Sequence, residues 1–181
     1  MASDLSKIII VDVESTCWEG NPPEGQASDI IEVGICLLDV KTGEITESNG
    51  IIVKPSRSSV SPFCTQLTTI TQEMVDAGTT FKEACAMIRQ NYSGQQRAWA
   101  SYGAYDFNMF KNQCADLNVG YPFGPSHINV KTLFALKKKL ARETGMAGAL
   151  GMLDIPLEGT HHRGVDDAKN IAKVLWWVLN Q

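Results

Sequence analysis

The sequence predicts a mixed α/β domain, on three observations. An unbroken β-branched run fills residues 7–14 (KIIIVDVE), two apolar segments flank the turn formers Val40-Lys41-Thr42-Gly43, and from residue 71 helical periodicity alternates with short apolar runs. At 181 residues, with 44% hydrophobic and 20% charged side chains, the chain is expected to fold as one domain over residues 1–181.

The run at 7–14 has an apolar residue at nearly every position, so it is expected in mid-sheet, covered on both faces. Residues 29–39 (DIIEVGICLLD) and 44–53 (EITESNGIIV) are read as a hairpin that completes a three-stranded antiparallel meander. The stretch holding Phe63 and Leu67 reads as a long loop. Helices are expected at 71–77 and at 81–92, where Phe81, Cys85, Ile88 and Tyr92 share a face. A short strand at 97–101, a helix at about 106–117, a loop with Pro122 and Pro125, and a short strand at 128–130 follow. Helices at 132–142, 146–153 and 166–179 end the chain. The sum is a five-stranded mixed sheet flanked by helices on both faces.

Charge and cysteines narrow the function classes. The formal net charge is −4, which removes the usual argument for nucleic-acid binding, a basic domain. It leaves open a local site where metal ions supply the positive charge. Cys17, Cys36, Cys64, Cys85 and Cys114 are widely spaced and form no C-x-x-C, so neither a disulfide framework nor a thiolate zinc site is indicated. A reducing, cytoplasmic setting is expected. No apolar run approaches the ~20 residues of a membrane span, and the leading MASDLSK has no secretory h-region. No G-x-x-x-x-G-K-[ST] or G-x-G-x-x-G occurs.

Acids that interrupt apolar patterns mark the chemistry. Asp12 and Glu14 lie two apart on the most hydrophobic strand, so the pleat turns both to one face. An ionised carboxylate buried without a partner costs several kcal/mol, so the pair demands a cation unless the strand end emerges into water. Asp106 heads a stripe of Met109, Phe110, Cys114 and Leu117, which points it inward and argues against an ordinary helix cap. In His161-His162-Arg163-Gly164-Val165-Asp166-Asp167 each histidine precedes an aspartate by five residues. Helical phase chooses between them. Asp167 leads Ile171, Val174, Leu175 and Val178, whereas Asp166 leads Lys169, Asn170 and Lys173. Asp167 is therefore expected in the core and Asp166 at the surface, capping the helix. Four such acids form an oxygen-rich cage suited to two hard cations, Mg²⁺ or Mn²⁺, that bridge a scissile phosphate, with a loop histidine to take the water's proton.

At these residues the chain resembles the DEDDh class of 3′→5′ exonucleases with the ribonuclease-H-like fold, and within it the ERI-1-like branch. Val11-Asp12-Val13-Glu14-Ser15-Thr16-Cys17-Trp18 resembles the branch's first motif, and Phe63-Cys64-Thr65-Gln66-Leu67-Thr68-Thr69-Ile70 its F-C-x-x-L-T-x-I segment, with Thr69 at a usual glycine. Tyr105-Asp106 matches the second motif and His162-Arg163-Gly164-Val165-Asp166-Asp167 the third. The resemblance implies one metal held by Asp12, Glu14 and Asp167, a second by Asp12 and Asp106, and His162 as general base. It also implies that the 3′-terminal nucleotide of a single strand, RNA favoured over DNA, is held by the backbone at Thr16 and by Phe63, Leu67, Tyr105 and Phe107. A catalytic domain without an accessory SAP domain, and with no obligate protein partner, is expected.

Lys137-Lys138-Lys139, with Lys131 and Arg142, is the one basic run, read as a solvated helix face or a phosphate guide. Two other classes compete with the exonuclease. A noncatalytic nucleic-acid-binding module would keep the stacking residues and protect a strand, and a metal phosphatase would cleave small esters only.

Overall fold

The structure is a computed structural model, and it describes residues 4–181. The sequence reading of residues 1–3 lies outside the described residues. Strand β1 (Asp4–Ser15) pairs antiparallel with β2 (Ile30–Asp39), and β2 with β3 (Ile45–Lys54). This is the expected meander. On the other side of β1 lie β5 (Arg97–Ser101) and then β6 (His127–Asn129), both parallel. With β4 (Thr79–Thr80) at the edge, the described sheet runs β4-β3-β2-β1-β5-β6, which puts β1 in mid-sheet as its apolar run requires.

Among the described residues the sheet has six strands where the sequence reading had five. The addition, β4 (Thr79–Thr80), is a two-residue parallel pairing to Val53 and Lys54. It is too short to show a period, and Thr80 also caps the next helix through a capping box with Glu83. A second correction concerns the loop holding Phe63 and Leu67, which contains helix α1 (Pro62–Thr68). Ser61 caps it by accepting the Cys64 amide, and Pro62 occupies the first turn, where its missing N–H is harmless. Thr69 ends it with φ 63°, the left-handed conformation for which glycine is preferred. Helix α2 (Gln72–Asp76) follows.

The two sheet faces bury separate cores. Ile9, Val11 and Val13 enter one with α3 (Phe81–Asn91) and α4 (Tyr105–Asp116). Ile8 and Ile10 enter the other with α5 (Val130–Lys137), α6 (Met146–Met152) and α7 (Gly164–Asn180). Each fully buried Ile, Val or Leu contributes about 1.5–3 kcal/mol. Asp12 and Glu14 continue the face of Ile8 and Ile10, where α7 begins. Helix α5 stops at Lys137, so the lysine run straddles its end, with Lys139 at φ 55°. Lys138 lies over the Trp177 ring at 5.1 Å and Lys131 pairs with Glu143, so both are engaged within the fold.

Candidate active site

A cleft of about 430 Å³ opens where β1 ends and α4 and α7 begin. Asp12, Glu14, Asp106, Asp167, His161 and His162 all line it. Carboxylate oxygens of Asp12, Glu14 and Asp167 lie within 4.8 Å of one another. Asp106 sits in the first turn of α4 without capping it, since Ala104 holds the cap position. It accepts the Val13 amide at 2.9 Å, which ties α4 to β1. Asp167 is buried as helical phase requires. Asp166 differs from expectation: Arg163 holds the cap position of α7, and the Asp166 carboxylate accepts the Thr160 amide at 2.9 Å, bracing the preceding loop.

Strain in this cluster is electrostatic. Burial, reinforced by the charges of Asp106, Glu14, Asp167 and Glu32, pushes the Asp12 carboxyl well above its usual range. Burial and the neighbouring acids raise Glu14 to about 8. Asp106 rises to about 6, because burial outweighs the hydrogen bonds it accepts from Val13, its own amide and Ser101. Among the described residues no hydrogen-bond donor reaches the carboxylate of Asp12 or of Glu14. Buried acids of one sign with only oxygen donors fit hard divalent cations.

A fifth acid escaped the sequence reading. Glu32 is fully buried on β2 directly opposite Glu14. It accepts the Gly164 amide at 2.9 Å and both Nε and Nη2 of Arg163 at 3.2 Å. Arg163 is thus committed to Glu32. The clamp holds the start of α7 on the sheet, and the backbones meet so closely that a Cβ on Gly34 would lie 1.8 Å from the Gly164 carbonyl carbon. The signal that finds Asp12 was present here too, an acid inside an apolar run.

The histidines divide their contacts. His161 Nδ1 lies 3.0 and 3.1 Å from the two Asp167 oxygens, while His162 donates its backbone amide to Asp167 at 2.9 Å. The two rings stack with centroids 4.0 Å apart, and His162 has φ 65°. Burial, and then the neighbouring His161, lower the His162 pKa against the pull of Asp167, so its ring is neutral at neutral pH.

The proposed nucleotide-holding residues separate into two groups. Leu67 and Tyr105 line the cleft with exposed side chains, and Tyr105 Oη shares a 2.5 Å hydrogen bond with Ser15 Oγ. Phe63 is exposed on α1 outside the lining. Phe107 turns away, its ring stacked 6.1 Å from Trp99 and packed near Tyr121 and His127. Thr16 is buried, its Oγ1 accepting the Asp29 amide at 2.9 Å and its amide donating to the Asp29 carbonyl. Ser15, Cys17, Tyr102, Gly145 and Met146 line the cleft without having been foreseen. Ser61 Oγ donates to the Cys17 carbonyl at 2.7 Å while accepting the Cys64 amide, which fixes α1 and Leu67 beside the end of β1.

A meander-led mixed sheet whose central strand carries D-x-E, joined by acids from two helix starts, defines the class: a DEDDh-type nuclease domain on a ribonuclease-H-like fold. The nuclease domain of 3′hExo, a DEDDh family member bound to rAMP, superposes with TM-score 0.88 at 31% identity, over 99% of this chain and 94% of that one. The chain matches the Exonuclease (RNase_T) family over residues 9–175 and belongs to it. It is 34% identical to human 3′-5′ exoribonuclease 1 over 92% of this chain and 50% of that protein, so it spans half the relative's length. Drosophila melanogaster 3′-5′ exonuclease Snipper is 29% identical, over 94% of this chain and 68% of that protein. Among the described residues no helix is long and apolar enough to cross a membrane.

Proposed function

We propose that this chain is a metal-dependent 3′→5′ exonuclease that shortens single-stranded RNA from its 3′ end and releases 5′-mononucleotides. The observation that carries the reading is the pair Asp12, half-buried, and Glu14, buried, set beside Asp106 and Asp167 with no hydrogen-bond donor on either carboxylate. Asp12, Glu14 and Asp167 would hold one cation and Asp12 with Asp106 a second. When bound, Mg²⁺, or Mn²⁺ in its place, supplies charge neutralisation, an activated water and stabilisation of the leaving oxygen.

The chain's own residues do the rest. The neutral His162 imidazole accepts the proton of the attacking water at a ring nitrogen. Glu32 and Arg163 hold the loop and helix that carry His162 and Asp167. Tyr105 and Leu67 present apolar surface to the terminal base, where stacking is worth about 1–3 kcal/mol and tolerates any sequence. The RNA preference draws support from relatives: one solved neighbour, 32% identical with TM-score 0.85, is described as a 3′-exonuclease with 3′-end specific recognition of histone mRNA stem-loop. A cytoplasmic setting belongs to the same proposal, supported by five free cysteines.

Matched 5′-labelled RNA and DNA single strands, incubated with Mg²⁺ or with EDTA, test it. Shortening from the 3′ end in Mg²⁺ alone, faster for RNA, is expected. A strand bound and protected at full length in Mg²⁺ would replace the enzyme with a binding module.

A further inference from the structure

The cleft holds a second cluster whose chemistry differs from the oxygen cage. His161, His162 and Asp167 offer two imidazole nitrogens and one carboxylate oxygen, all within 4.8 Å of one another. We propose that these three residues form a Zn²⁺ site that takes the His162 nitrogen out of the reaction, so that zinc switches the enzyme off.

The donor set makes the first argument. Imidazole suits zinc, Mg²⁺ prefers carboxylate and water, and at a mixed nitrogen and oxygen site zinc binds more tightly than Mn²⁺. Three protein ligands with a fourth position left to water is a recurrent zinc arrangement. The geometry makes the second. His161 Nδ1 stands 3.0 Å from Asp167 Oδ2, close to the separation of about 3.3 Å between two ligands that each lie about 2.0–2.1 Å from a tetrahedral ion. A shift of a few tenths of an ångström converts that hydrogen bond into two metal bonds, and the His162 ring, stacked on His161 at 4.0 Å, completes the site by rotating off that stack.

Support around the ligands makes the third. The Asp167 carboxylate is oriented by the His162 amide, the loop is braced by the Thr160 amide on Asp166, and Arg163 is pinned to Glu32. The His161 side chain is 43% exposed, which gives an ion a path in from solvent. Zinc and the oxygen cage share Asp167, so a bound zinc draws on the carboxylate that the first hard cation would use. Zinc also occupies the His162 nitrogen needed for the water's proton. That inhibitory consequence rests on the exonuclease reading, whereas the binding site does not.

Titrating the metal-stripped chain with Zn²⁺ alone, by calorimetry, tests the site without substrate. One ion per chain is expected. Outer partners of a metal ligand are worth about 10–100-fold in affinity and a direct ligand at least as much, so His161→Ala is expected to weaken zinc at least about tenfold. Asp12→Asn, which disables the cage, is expected to retain zinc. Co²⁺ gives a spectroscopic check: strong visible absorption from a four-coordinate site in the wild type and in Asp12→Asn, weak in His161→Ala. His161→Gln, which keeps a polar contact to Asp167 but no imidazole, is expected to repeat the loss with a wild-type thermal midpoint. No zinc binding by the wild type, or binding kept in both His161 variants and lost in Asp12→Asn, overturns the site. In Mg²⁺ reactions added zinc is expected to stop RNA shortening, less in His161→Ala. If no RNA is shortened under any condition the exonuclease reading fails, while the calorimetry still decides the site.

Discussion

Two sets of buried acids sit within a few residues of each other, and they are treated differently. Asp29 accepts the Ser56 and Arg57 amides at 2.8 and 2.6 Å and the Arg57 Nε at 2.7 Å. Glu32 has Arg163 and the Gly164 amide. Asp12 and Glu14, on the adjacent strand, accept no hydrogen bond from a cation and face further acids, which at Glu14 the Arg163 charge offsets with the smallest effect of any neighbour. The difference separates structure from chemistry: an acid with an internal cation is a fastening, and an acid without one is a receptor for an external cation.

The largest break in this contrast is loss of a receptor acid. Asp12→Ala is expected to bring RNA hydrolysis in Mg²⁺ below detection while the metal-free variant unfolds at a higher temperature than the wild type, because like-charge repulsion is relieved. Loss of a fastening is expected to act on stability. Arg163→Ala strands a buried Glu32 charge and is expected to cost about 3 kcal/mol in urea unfolding, near the lower end for a broken buried pair because the arginine is partly solvated. Adding Glu32→Gln should recover part of that loss. Arg57→Ala is expected to cost less, about 2 kcal/mol, since Asp29 keeps two backbone donors. The smallest change lies outside both sets: Thr69→Gly relieves the left-handed residue that ends α1 and is expected to stabilise by about 0.5–1 kcal/mol, read as a rise of about 2 °C in thermal midpoint.

Much of the site was legible because each receptor acid interrupts an apolar pattern with a known period. Helical phase separated Asp167 from Asp166 and turned Asp106 inward, and strand alternation put Asp12 and Glu14 together. The same rule applied to residues 29–39 flags Asp29 and Glu32. What the pattern does not carry is the destination of Arg57 and Arg163, which reach their partners across 28 and 131 residues of sequence. Two neighbours of site residues turn their side chains elsewhere for a geometric reason. Phe107 follows Asp106 by about 100° around a helix and so enters the aromatic core instead of the cleft. Thr16 follows a register shift at Glu14/Ser15 and turns into the fold. Helix α1 and strand β4 were too short for periodicity, and only the Ser61-Pro62 cap marks the former.

The contrast meets its most direct test in thermal unfolding of the metal-free chain across pH, repeated with Mg²⁺. Glu14 near 8 and Asp106 near 6 hold protons in the folded state that the unfolded chain has released above about 4. Folded molecules therefore bind more protons than unfolded ones between about pH 4 and 8, and stability falls as pH rises through that window. Mg²⁺ binds the ionised acids, so its stabilisation is expected to be small at pH 5, large at pH 8, and absent in Asp12→Asn. An equal Mg²⁺ shift at both pH values, or one that survives Asp12→Asn unchanged, would contradict the assignment of these acids as the receptor for external cations.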